Sequence, residues 1–203
     1  LGKVMLGAAD TFTIDLYGDG LVNLALSDAS LAQMHDAQGQ PVGSLITQAG
    51  NIDVGSGQAI LVTAEAAKTV LDNLINMSGT ILADSAVQEG GRILLLARGG
   101  TVDVSGNLSA QGTSGGQIEM LGDQVHLAST AQLDASGSHG GGTLHVGGAY
   151  QGSGDTYRAK ATQIDSGAML NASAITQGNG GEVIVWADGN TSYAGSIQAR
   201  GGA

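Results

Sequence analysis

The side chains able to do chemistry are few, and their spacing limits what they can do. Four histidines occur, His35, His126, His139 and His145. A zinc site needs ligands converging on one point, and the HxxxH and HExxH spacings that supply two of them from one helix are missing. There is no cysteine, which removes disulfides, thiolate metal sites and cysteine nucleophiles. The histidines therefore read as surface or corner residues, and neither a metal nor a cofactor is expected. Asp103, Glu119, Asp123 and Asp134 are the carboxylates to test for acid–base work. Glycosidic cleavage needs a carboxyl pair about 5–9.5 Å apart. Asp103 with Gln124, or Asp134 with Asn171, fall on neighbouring repeats, so spacing alone leaves a pair open. The acids do not recur in a column beside Arg or Lys, and solvated outward positions are their expected role. Phosphate-cradling glycine loops are absent. Calcium β-roll repeats need glycines and aspartate in tandem. The stretch SGSHGGGTLHV has the glycines without the aspartate. No catalytic residue is expected, and the chain does not read as an enzyme.

Aromatic and basic residues gather in one place, at Tyr150, Tyr157, Arg158 and Lys160. These four are the candidate ligand contact, for a carbohydrate or a protein. The plainer reading is a loop that packs its tyrosines over the strands beneath.

Composition describes the scaffold that must hold these groups. Glycine supplies 35 of 203 residues, aromatics 3% and hydrophobics 42%, with a single proline. That is too apolar for a disordered chain and too poor in aromatics for a large globular core. The net charge of −11 disfavours nucleic acid, whose phosphates need clustered Lys and Arg. It disfavours anionic lipid for the same reason. No apolar run approaches the length of a membrane span. The opening LGKVMLGAAD lacks a signal-peptide layout, and the chain reads as an internal piece of a longer protein.

A repeat organises the rest. Gly-Gly, a polar residue and an apolar run recur as GGRILLL, GGQIEML, GGTLHVG and GGEVIVW, starting at Gly90, Gly115, Gly141 and Gly180. A second element, x-x-[Leu/Ile]-x-Ala, ends at Ala83, Ala110, Ala135, Ala172 and Ala199. Self-similarity at this period marks a solenoid, propeller or array. Period-two alternation, as in Thr101-Val102-Asp103-Val104, makes the unit strand-like. Each repeat cannot bury its apolar face alone and must stack on its neighbour. The expectation is an all-β fold, a right-handed parallel β-helix of about 25 residues per turn, as one continuous segment over 1–203. Gly-Gly pairs suit corners needing positive φ or close backbone approach. Residues 27–44 and 147–163 read as loop excursions. Over 63–76 the apolar positions Ala67, Val70, Leu71, Leu74 and Ile75 follow helical spacing, with Thr63 as N-cap, and predict a short helix.

GDGLVNLAL (18–26), GNIDVGSGQAILVTAEAAKTVLDNLINMSGTILA (50–83) and VIVWADGNTSYAGSIQARGG (183–202) resemble the filamentous-haemagglutinin-type exoproteins of Gram-negative two-partner secretion. The Gly-Asp-Gly-Leu start, the Trp-Ala-Asp at Trp186 and the terminal Ala-Arg-Gly-Gly are its more specific parts. The resemblance implies a large secreted protein with a β-helix shaft and a role in adhesion or biofilm matrix. It implies export through an outer-membrane transporter partner, engaged through another part of the chain. It also implies extracellular polysaccharide or a cell-surface receptor as partner, with neither nucleic acid nor membrane insertion. The rival readings are a β-helix carbohydrate lyase or hydrolase and a self-associating extracellular filament module.

Overall fold

A computed structural model describes residues 2–8, 11–13, 23–25, 35–40, 42–63, 73–86 and 90–203. Short apolar runs alternating with polar residues, bounded by glycine, fold into strands that pair with the same run of the next repeat. A ten-stranded sheet carries a row of six: β1 (Lys3–Ala8), β6 (Gln58–Thr63), β9 (Arg92–Val104), β12 (Gln117–Leu127), β15 (Thr143–Val146) and β18 (Glu182–Val185). The far halves of β9 and β12 continue it. There β4 (Ser44–Gln48) and β7 (Asn73–Met77) join through β9, and β16 (Ala161–Ile164) and β19 (Asn190–Tyr193) join through β12. A six-stranded sheet runs β5 (Asn51–Asp53), β8 (Thr80–Leu82), β10 (Asn107–Ser109), β13 (Gln132–Asp134), β17 (Met169–Asn171) and β20 (Ser196–Gln198). The strands β11 (Gly112–Ser114) and β14 (Gly137–Gly140) form a parallel pair. The strands β2 (Thr11–Thr13) and β3 (Asn23–Ala25) form an antiparallel one.

Register aligns like with like. Ile81, Leu108, Leu133, Leu170 and Ile197 stand opposite one another through the six-stranded sheet. Ile93, Ile118, Leu144 and Val183 do the same in the large sheet. A one-residue slip would turn every apolar side chain of a strand to the wrong face, so burial fixes this register. Residues of both sheets belong to a single apolar cluster, which places the core between them. Ala83, Ala110, Ala135 and Ala172 are fully buried in it. Ala199 follows the last strand and is exposed. Ser109, which strict alternation between Leu108 and Ala110 would turn outward, is buried, with its hydroxyl donating to Asp84 at 2.7 Å.

The glycine pairs serve close approach, not positive φ. Gly91, Gly116, Gly142 and Gly181 are absent from the positive-φ glycines. A Cβ on Gly116 would sit 2.2 Å from the Gly91 carbonyl oxygen, and one on Gly142 would sit 2.2 Å from that of Gly116. Only glycine lets successive backbones touch there.

Three expectations are corrected. The single right-handed β-helix gives way to three separate parallel sheets, none closed or curled, and one antiparallel pair. Alternation specifies a strand with one buried face, and matched repeats specify parallel neighbours. Neither specifies how sheets connect around an axis. The spacing of about 25 residues holds as a pairing offset, 25 between β9 and β12 and 26 between β12 and β15. It lengthens to 39 between β15 and β18. The short helix over 63–76 is not what its ends form. Thr63 is the last residue of β6, and 73–77 is β7, with Ile75 and Met77 buried at period two. Residues 64–72 lie outside the described residues, and with them Ala67, Val70 and Leu71. No α-helix occurs among the described residues, whose helical segment is the 3-10 turn Tyr150–Gly152. The excursion at 147–163 ends early, because β16 begins at Ala161. Of the 27–44 excursion, 35–40 forms a turn in which Asp36 Oδ1 accepts the amides of Gln38 and Gln40.

Candidate functional site

Two of the four residues singled out as a ligand contact, Tyr157 and Lys160, reach the point where the large sheet changes register. The pairing of β12 with β9 shifts between Gly122 and Gln124, and such irregularities re-aim a side chain. Here the residue passed over is Asp123, whose carboxylate is buried. Two loop residues clasp it: the Tyr157 hydroxyl donates to Oδ1 and the Lys160 ammonium donates to Oδ2 at 2.7 Å. Burying an ionised carboxylate is costly unless it is paired and hydrogen-bonded, and these contacts meet that requirement. Tyr157 Oη also accepts the Gly99 amide at 2.9 Å, and Arg98 lies 5.7 Å from the centre of its ring. Burial, reinforced by the Asp123 carboxylate, pushes the Tyr157 hydroxyl above the ordinary phenol value, so it stays a donor.

A second anchor holds the other side of the loop. Asp188 Oδ1 accepts the Trp186 indole N–H at 3.0 Å, and Oδ2 accepts Arg158 Nε at 3.1 Å. Arg158 Nη1 donates to the Gly152 carbonyl at 3.1 Å. A Cβ on Gly152 would lie 3.4 Å from the indole ring, so the loop passes directly over Trp186. The indole hydrogen bond first, then the Arg158 charge, hold the Asp188 carboxyl below the usual carboxylate range. The Trp-Ala-Asp motif is thus a clamp for this loop. Tyr157, Arg158 and Lys160 all bind the protein itself, while Tyr150 projects with 63% exposure. The four do not converge on one external point.

Two further clusters lie on the large sheet. His126 stands opposite Asp103 in register, its Nδ1 3.4 Å from that carboxylate and its Nε2 3.0 Å from Asp165. Burial lowers its pKa, but hydrogen bonds to Asp165 and then Asp103 outweigh it, and the imidazole is held above its ordinary value. Two carboxylates flank one imidazole here. Elsewhere Glu119, buried, accepts Arg92 Nε at 3.0 Å and lies 3.9 Å from His145, which also contacts Glu182 at 3.1 Å. Glu119 and Asp123, expected as solvated outward acids, are instead buried against Arg92 and Lys160, and Asp188 pairs with Arg158. These pairings join residues 27, 37 and 30 positions apart, which reading single repeats does not reveal. Asp134 does meet Asn171 as neighbouring positions, at 3.2 Å, whereas Gln124 faces Thr101 and not Asp103. No group of three or more metal-ligating side chains occurs among the described residues, and no helix there is long and apolar enough to cross a membrane.

No family model and no curated protein matches the chain by sequence. By structure it is similar to the secretion domain of HMW1 from Haemophilus influenzae, a crystal structure. The TM-score is 0.79 with 25% identity, over 100% of this chain and 49% of that one. The chain therefore spans about half the length of that neighbour.

Proposed function

We propose that this chain is part of the secretion-domain region of a large exoprotein of the filamentous-haemagglutinin type. In this reading it leaves a Gram-negative cell through a dedicated outer-membrane transporter and afterwards serves as a structural, adhesive segment at the surface. The single observation that carries the reading is the likeness to a secretion domain along the whole chain. It supports a transporter contact within this segment, whereas the sequence resemblance puts that contact elsewhere in the chain. Two physical features suit such a route. Without cysteine no disulfide can lock the chain before it crosses a membrane. Strands that pair mainly with the adjacent repeat can fold progressively as the chain emerges. The role is mechanical and not catalytic: the buried carboxylates Glu119 and Asp123 are engaged by partners that hold the sheet and loop together.

Binding to the transporter tests this directly. The purified chain is titrated against an outer-membrane β-barrel transporter of the two-partner-secretion type from the same cell, reconstituted in detergent. Saturable binding at about micromolar Kd, lost when the chain is unfolded and used at the same concentration, is expected. No binding to that protein in either state overturns the reading.

A further inference from the structure

The outer face of the six-stranded sheet carries a groove of about 320 Å³, within the range of ligand sites. It crosses β8, β10, β13, β17 and β20, a run of about 19 Å at the usual strand spacing. We propose that this groove binds a linear glycan bearing free amines, of the deacetylated hexosamine type.

The register supplies the argument. One outward row reads Asn107, Gln132, Met169, Ser196, and the next reads Asp134, Asn171, Gln198. Strand stacking thus repeats amide, hydroxyl and carboxylate groups at one interval, close to the advance of an extended sugar chain. Hydroxyl-rich ligands are recognised by such donors and acceptors, and Met169, 46% exposed among polar neighbours, offers an apolar platform for a ring face.

Charge selects the amine. The charged side chains among the described residues of the groove are Asp84 and Asp134, with no Lys or Arg, in a chain of net charge −11. Both carboxylates are held in place before any ligand arrives. Asp84 Oδ1 accepts Ser109 Oγ and the Gln111 amide, each at 2.7 Å. Asp134 Oδ1 accepts the Ser136 amide at 2.8 Å, and its Oδ2 accepts Gln111 Nε2 at 3.1 Å. Fixed acceptors cost little reorganisation on binding. An anionic glycan would meet uncompensated repulsion. A peptide could not add a strand across the middle of the groove, because β8, β10, β13 and β17 are each paired on both sides.

The test is calorimetry on the folded chain with a glucosamine tetramer, its fully N-acetylated counterpart and tetralysine. The glucosamine tetramer is expected to bind at least about tenfold more tightly than either of the others. Asp134→Asn, which keeps the acceptor and removes the charge, should weaken it by about tenfold. Gln132→Ala should weaken it while leaving the melting temperature unchanged, and Asp155→Asn, in the loop, should change nothing. Equal binding of tetralysine would mean attraction by net charge alone and overturn the proposal. So would equal binding of both sugars, no binding, or unchanged binding by both groove variants. The inference does not depend on the export reading, and either can fail without the other.

Discussion

His126 is held by Asp165 and Asp103, and the pH dependence of stability follows from that geometry. Its pKa in the folded chain lies above the ordinary 6.5. The stabilisation is therefore fully present below about that pH and is lost as pH rises through the raised folded value. Asp165 runs the opposite way. Its hydrogen bond from Gln163 first, then that from His126, hold it below the ordinary 3.8. Its contribution is present above that value and lost as pH falls through the lowered one. The clasp is strongest between the two. Substituting His126→Gln should lower the melting temperature most near pH 5 to 6 and least near pH 9, by about a few degrees at its largest. Thermal unfolding followed by circular dichroism across that range checks it, and a difference that stays constant with pH would refute the assignment. At this scale the sequence was only partly legible. Asp134 and Asn171 were readable as neighbours because they share one place in the x-x-[Leu/Ile]-x-Ala element. The Asp103 partner was not. The offset between β9 and β12 is 25 residues before the register shift and 23 after it, and glycine spacing reports only the first. The clasp on Asp123 was hidden for the same reason, since a residue passed over by the pairing leaves no mark in the alternation.

Among the elements, the strands were legible where burial is one-sided and repeated. Leu108, Leu133 and Leu170 with Ala110, Ala135 and Ala172 are buried as their alternation requires. The segment ending in Leu74 and Ile75 misled because adjacent apolar residues satisfy a helical period over a short window, while the ladder to β4 and β9 makes 73–77 a strand. Tertiary pairing overrides local period in such a run. The glycine columns are the most exacting feature of the elements. Gly116→Ala would put a methyl 2.2 Å from the Gly91 carbonyl oxygen, an atom of the backbone that cannot swing aside. Its cost should reach about 3 kcal/mol or more, a fall of about 8 °C in melting temperature. Gly43→Ala is the matched control: no described residue lies within 4 Å of its added methyl and its φ is not positive, so stability should hold within about 0.5 kcal/mol. Equal melting temperatures for the two variants would show that close approach does not account for the Gly-Gly repeat.

For the whole molecule, pattern in the sequence carried the pairing of repeats but not the arrangement of sheets. The parallel partners of β9, β12 and β15 follow from the GGRILLL, GGQIEML and GGTLHVG spacing, whereas separate sheets of ten, six and two strands depend on the connections between them. Function is read at this scale as well. The buried acid–base groups hold sheet and loop together, and the feature that joins the chain to a process is its likeness over its full length to a secretion domain. The most direct measurement is export in the source cell, with this segment in its full-length protein and the gene of that β-barrel transporter present or deleted. Export by this route puts the protein in the medium or at the cell surface in the first case, and removes it from both in the second. Undiminished export after the deletion would contradict it.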